Sequence, residues 1–172
     1  AEGWDQYAVR ARMAVADMAL AEGGKGALLA AQSTLKSGSE AWRGGRYELE
    51  VLYRQERVYH ALGNDPEAVL TLGRILLRFP ERAEAASNEA RAQELLARIY
   101  ATGGEGQYPL SAWMALHLRL LPHFRYTEGF TAQIETLGDY VLKLGSTDLA
   151  AKEYLNFLRQ FEHFVPGVGF GF

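Results

Sequence analysis

Residues 49–80 read LEVLYRQERVYHALGNDPEAVLTLGRILLRFP. Leu49, Leu52, Tyr59 and Leu62 follow helical spacing, and Val51 and Val58 widen the stripe. Such a stripe needs a facing surface, because a helix draws most of its stability from burying one face. Gly63 suits a helix C-cap, where glycine takes the left-handed conformation without steric cost. Asp65 is placed to cap a second helix, with Pro66 at its first position, where the missing N–H costs nothing. Leu72, Ile75, Leu76 and Phe79 then recur at i, i+3, i+4 and i+7. Pro80 stops this helix. A turn this short makes the two helices an antiparallel hairpin.

Upstream, residues 4–22 form an alanine-rich helical pattern with Val9, Met13, Ala16 and Leu20 on one side. Gly23-Gly24-Lys25-Gly26 reads as a turn, residues 27–36 as a shorter helix, and Ser37-Gly38-Ser39 as its end. Gly44-Gly45 reads as a break. Downstream, Glu81 and Glu84 give the next helix an acidic first turn, which suits the positive end of a helix dipole. Ala92, Leu95, Leu96, Ile99 and Tyr100 carry its stripe, and Gly103-Gly104-Glu105-Gly106 is its turn. Pro109 starts a helix with Trp113, Leu116, Leu120 and Leu121 on its apolar side, ending at Pro122. Residues 123–126 are a linker, and Thr127 is placed to cap the fourth hairpin. Ala150, Tyr154, Phe157, Leu158 and Phe161 form the core side of a last helix. Gly23, Gly63, Gly103 and Gly145 recur about every 40 residues, the signature of a repeated unit. The chain is therefore expected to be all-α, with eight main helices in four antiparallel hairpins at about 4–37, 40–80, 81–122 and 127–164. The expected core includes Tyr59, Leu62, Leu72, Ile75, Leu96, Tyr100, Trp113, Leu137, Ala150 and Tyr154.

The hairpin at 49–80 resembles the tetratricopeptide repeat, through Leu52, Tyr59, the turn Gly63, the small Ala68 and the closing Pro80. Leu96, Ala97 and Tyr100 repeat part of that signature. Ile134, Leu137, Gly138, Gly145, Ala150 and Tyr154 give the second-best match, and the first hairpin is degenerate. Glu56 stands where the family carries a small residue, which predicts looser helix packing at that level. The resemblance implies a right-handed superhelix, a solenoid of about four hairpins spanning residues 1–164, whose concave groove holds a partner segment. Carried over, the groove positions are Glu50, Tyr53, Arg57 and His60, then Arg91, Glu94 and Arg98, then Glu135, Asp139 and Lys143. Arg57 and Arg98 would make its middle basic, and Glu135 with Asp139 its C-terminal end acidic. The lysine and asparagine pattern with which some members clamp a C-terminal carboxylate is absent.

At 172 residues one domain with a real core is expected. A net charge of -3 argues against general nucleic-acid binding. No apolar run is long enough to span a bilayer. The chain has no cysteine, which excludes disulfides and cysteine-held metals. It opens at Ala1 rather than Met, and with the lack of cysteine this favours a periplasmic or exported compartment over the cytoplasm.

No other chemistry is strongly signalled. Gly23-Gly24-Lys25-Gly26 follows a helix and lacks the glycine and Ser/Thr spacing of a phosphate loop, so it reads as a helix–helix turn. His60, His117, His123 and His163 form no zinc-binding pair, and His117 shares a face with Trp113, Leu116 and Leu120, as a core histidine does. Glu135 and Asp139 are i,i+4 carboxylates without a recognisable nucleophile, hence a solvated acidic face. Arg43, Arg46, Arg54 and Arg57 align on one side, as a solvated face or an anion contact. No catalytic, cofactor or metal site is expected.

The tail at 165–172, VPGVGFGF, is not helical. Phe164, Phe170 and Phe172 alternate with glycines, and exposed aromatics invite association. They either cap the last hairpin or insert into a partner as an extended segment, and the alternation favours the partner. The chain is thus expected to be a non-enzymatic protein-interaction scaffold binding a protein or peptide partner in its groove. The alternative is a structural subunit of a larger, cell-envelope assembly that docks through convex surfaces and the tail.

Overall fold

The computed structural model describes residues 2–41, 47–82, 84–127 and 129–144, with side chains from residue 6 and not at 39–41. Over these residues the chain is all-helical, in seven helices: α1 (Glu2–Glu22), α2 (Lys25–Ala41), α3 (Glu48–Ala61), α4 (Asp65–Arg78), α5 (Ala85–Gly104), α6 (Leu110–Phe124) and α7 (Phe130–Lys143). No strand occurs among them. The second helix of the fourth hairpin and the tail lie outside the described residues.

Each helix from α1 to α4 packs on the next, α4 on α5 included. First helices also meet, α1 with α3 and α5 with α7, and second helices meet where α4 packs on α6. The apolar side chains gather in two clusters that share α3. Val51 and Val58 join Val9, Met13, Ala16, Ala19, Leu28, Ala31 and Leu35 from the first two helices. Leu52 and Tyr59, one residue further round, join the core of α4 to α7. What reads as one wide stripe is therefore two adjacent ones, each serving a different neighbour.

The hairpin at 49–80 folds as its spacing predicts, with one shift. Gly63 takes φ +71°, and its N–H bonds the His60 carbonyl. Asn64, not Asp65, is the cap, its side-chain oxygen accepting from the Glu67 N–H at 3.3 Å. Leu72 and Ile75 are buried in the core, whereas Leu62, the last-turn residue, is only half-buried. Leu96, Tyr100, Trp113 and Leu137 are buried as expected, while Ala97 is exposed.

Several expected boundaries move, each for a visible reason. Helix α2 starts at Lys25 because the Leu28 N–H already reaches the Gly24 carbonyl. It runs through Ser37 and Gly38, where the Ser37 hydroxyl donates back to the carbonyls of Ser33 and Thr34. Gly38 is buried beneath the Arg12 side chain. Helix α5 begins only at Ala85, so Glu81 and Glu84 precede its first turn. It includes Gly103, where a Cβ would lie 2.5 Å from the Trp113 ring, so this glycine permits a close helix approach and Gly106 (φ +79°) makes the turn. Helix α6 continues through Pro122 to Phe124, which is fully buried. Its end is held where His123 and Phe124 lie on Gly73 of α4, a position without room for a Cβ. Thr127 does not cap α7; its hydroxyl donates to the Phe124 carbonyl at 2.7 Å, and Gly129 stands at the cap.

Candidate functional site

The side of α3 carrying Glu50, Tyr53, Arg57 and His60 is stapled to α5 by polar side chains. The Tyr53 hydroxyl accepts from the Asn88 amide at 2.8 Å. Glu56, whose side chain is 5% exposed, takes Nε and Nη2 of Arg91 on one oxygen, both at 2.9 Å. Arg98 Nε donates to Asp65 at 3.1 Å, and His60 Nδ1 lies 3.3 Å from the same carboxylate. The looser packing expected at Glu56 is thus an ion pair between successive hairpins. Tyr53–Asn88 and Glu56–Arg91 are each 35 residues apart. A carboxylate on the apolar side of α3 with a guanidinium 35 residues on is the signal that locates the second pair. Asn88 has no such signal.

Of the ten expected groove residues, Tyr53, His60, Arg91 and Arg98 are brought together through Asn88, Glu56 and Asp65. Glu50 lies 3.9 Å from Arg54, whose guanidinium also forks onto Asp17 of α1 at 2.9–3.1 Å. Arg57 and Glu94 are exposed, and no hydrogen bond or ion pair engages either among the described residues. Glu135, Asp139 and Lys143 lie exposed on α7, with no polar link to α3 or α5 among the described residues. Phe164, Phe170, Phe172, His163, Arg43 and Arg46 lie outside the described residues. The middle of this face is less basic than its sequence implies, because Asp65 and Glu56 share the charges of Arg98 and Arg91.

His117 is a core residue. It is fully buried, Tyr100 hydrogen-bonds its Nδ1, and Phe130 stacks parallel to its ring. Burial lowers its pKa to about 4, so it is neutral at pH 7 and the Tyr100 hydroxyl donates to it. Burial raises the Tyr100 pKa for the same reason. Half-buried His123 is shifted down by burial first and by Arg74 second. Among the described residues no group of His, Asp and Glu is placed to hold a metal ion, and no helix is long and apolar enough to cross a membrane.

A cavity of about 480 Å³ opens on the opposite side of α3, and none of the ten expected residues lines it. Set against protein-family models, curated proteins and solved structures, the chain matches none.

Proposed function

We propose that the chain is a non-enzymatic, tetratricopeptide-like solenoid that binds a protein or peptide segment along the first helices of its hairpins, α3, α5 and α7. The cross-hairpin polar staple carries this reading. It uses Tyr53, Arg91 and Arg98 to fix the spacing of α3 and α5 and leaves Arg57 and Glu94 facing solvent with unmatched charges. Fixed spacing with unengaged charges is what a preorganised binding surface needs, since charge of this kind sets orientation and on-rate. The sequential packing of α1 to α5, with α1 on α3, α5 on α7 and α4 on α6, supports the solenoid.

Selection from a displayed peptide library tests it. Selected peptides should carry both an acidic and a basic residue, and the double reversal Arg57→Glu/Glu94→Arg should abolish their binding and accept peptides with swapped charges. A library yielding no binder sensitive to these two positions overturns the proposal.

One observation favours the second reading, a structural subunit of a larger, cell-envelope assembly. Tyr7, Ala11, Ala14, Val15 and Met18 follow helical spacing along α1 and are all exposed. Such a stripe suits burial against another subunit. Light scattering should then show concentration-dependent association that Met18→Glu removes.

A further inference from the structure

We infer that the cavity beside α3 is an anion site that binds a phosphate monoester group. It is lined by Gln32 and Lys36 of α2, by Glu48, Leu52, Gln55 and Tyr59 of α3, by Glu67, Arg74 and Arg78 of α4, and by Arg119 of α6. On α3 these positions recur at helical spacing on the side opposite Glu50, Tyr53, Arg57 and His60, so the cavity and the interaction face are separate surfaces.

Charge is the first argument. The lining holds four cations and two carboxylates in a chain whose net charge is -3. Both carboxylates are engaged, Glu48 by Arg78 at 2.9 Å and Glu67 by Arg119 at 2.8 Å. Arg74 is half-buried and has no carboxylate or other acceptor among the described residues. A guanidinium offers five N–H donors in a planar fork that matches a phosphate or carboxylate edge. Holding it part-buried without an acceptor is costly, and a bound oxyanion removes that cost.

The rest of the lining narrows the ligand. Leu52 is its one apolar side chain, so the cavity offers little to a hydrophobic molecule. The Tyr59 hydroxyl and the Gln32 amide, hydrogen-bonded to one another, add neutral polar contacts, and burial keeps Tyr59 protonated. A phosphate monoester carries a charge of about −1.5 to −2 at pH 7 and offers several acceptor oxygens to the Arg74 guanidinium. The volume exceeds that of a bare ion and leaves room for a small organic group on the ester oxygen.

The test monitors the arginine Nε–H resonances of the full chain during titration with inorganic phosphate, against sodium chloride of matched ionic strength and against succinate. The Arg74 resonance should shift saturably with phosphate only, and phosphate alone should raise the melting temperature. Arg74→Gln should weaken binding by about tenfold or more, the scale of a charge-assisted pair, and Arg74→Lys by less. Arg57→Glu/Glu94→Arg should leave it unchanged, which keeps this inference apart from the interaction face. Glycerol phosphate and a phosphoserine tripeptide then identify the source, a small molecule or a modified partner, by which binds more tightly than phosphate itself. No saturable shift in the wild-type chain, an equal response to chloride or succinate, or full affinity in a folded Arg74→Gln variant overturns the inference.

Discussion

At the scale of single side chains, the Glu56 carboxylate depends on Arg91 for its charge to be tolerated where it is. Removing Arg91, itself partly exposed, leaves the buried Glu56 carboxylate unmatched, whereas removing both does not. Arg91→Ala should therefore destabilise the chain by about 3 kcal/mol. Glu56→Ala/Arg91→Ala should recover most of that, because alanine at 56 leaves no buried charge to match. Urea melts of the three variants measure the coupling. His117 makes a second single-residue prediction. Its folded pKa of about 4 lies below the unfolded value of 6.5, so the unfolded chain binds the proton more readily between the two. Stability should be constant from this group above pH 6.5, fall as the pH drops toward 4, and level off below. The loss amounts to roughly 3 kcal/mol, at 1.36 kcal/mol per pH unit. His117→Phe should flatten that part of the pH–stability curve, unless the lost Tyr100 bond unfolds the chain, in which case the histidine's own shift in an NMR titration decides.

At the scale of the helix pair, Gly103 and Gly73 set how closely α5 meets α6 and α4 meets α6. A methyl at Gly103 would enter the Trp113 ring and one at Gly73 the His123 side chain. Alanine is the better helix former, yet overpacking outweighs propensity here, and each Gly→Ala change should cost about 1–3 kcal/mol. Thermal melts should rank both variants below Gly138→Ala, where a Cβ meets nothing within 4 Å among the described residues. These glycines also show why element ends are harder to read than element centres. Apolar period reports burial of a stripe, and it locates α3, α4, α5 and the middle of α6 well. Glycine reports either freedom of the backbone or absence of a side chain, and sequence does not separate the two. Gly63 is the first kind and Gly103 the second, so an even spacing that includes both places the turn at 103 rather than 106. Pro122 misleads in the same way, since a missing N–H near a helix end is outweighed by burying Phe124.

At the scale of the whole molecule, the all-α class is legible because short glycine turns and 3.6-residue stripes are local signals. The electrostatics of the candidate faces are not, because they depend on which charges meet across helices. Arg98 finds Asp65 and Arg78 finds Glu48, while Arg74, one turn before Arg78, finds no such partner among the described residues. The sharing of α3 between two clusters has a further effect, on how the molecule opens. The cluster of α1 and α2 is built mainly of small side chains, six of its nine buried members being alanine or valine. The other holds Trp113, Tyr100, Phe124 and Phe130. Opening of the first hairpin exposes less apolar surface and leaves α3 held on its second side. Native-state hydrogen exchange should therefore show α1 and α2 amides exchanging through a sub-global opening at low denaturant, while α3 amides exchange together with those of α4 and α5. Helix α3 should then mark the border between two cooperative units and exchange with the slower one.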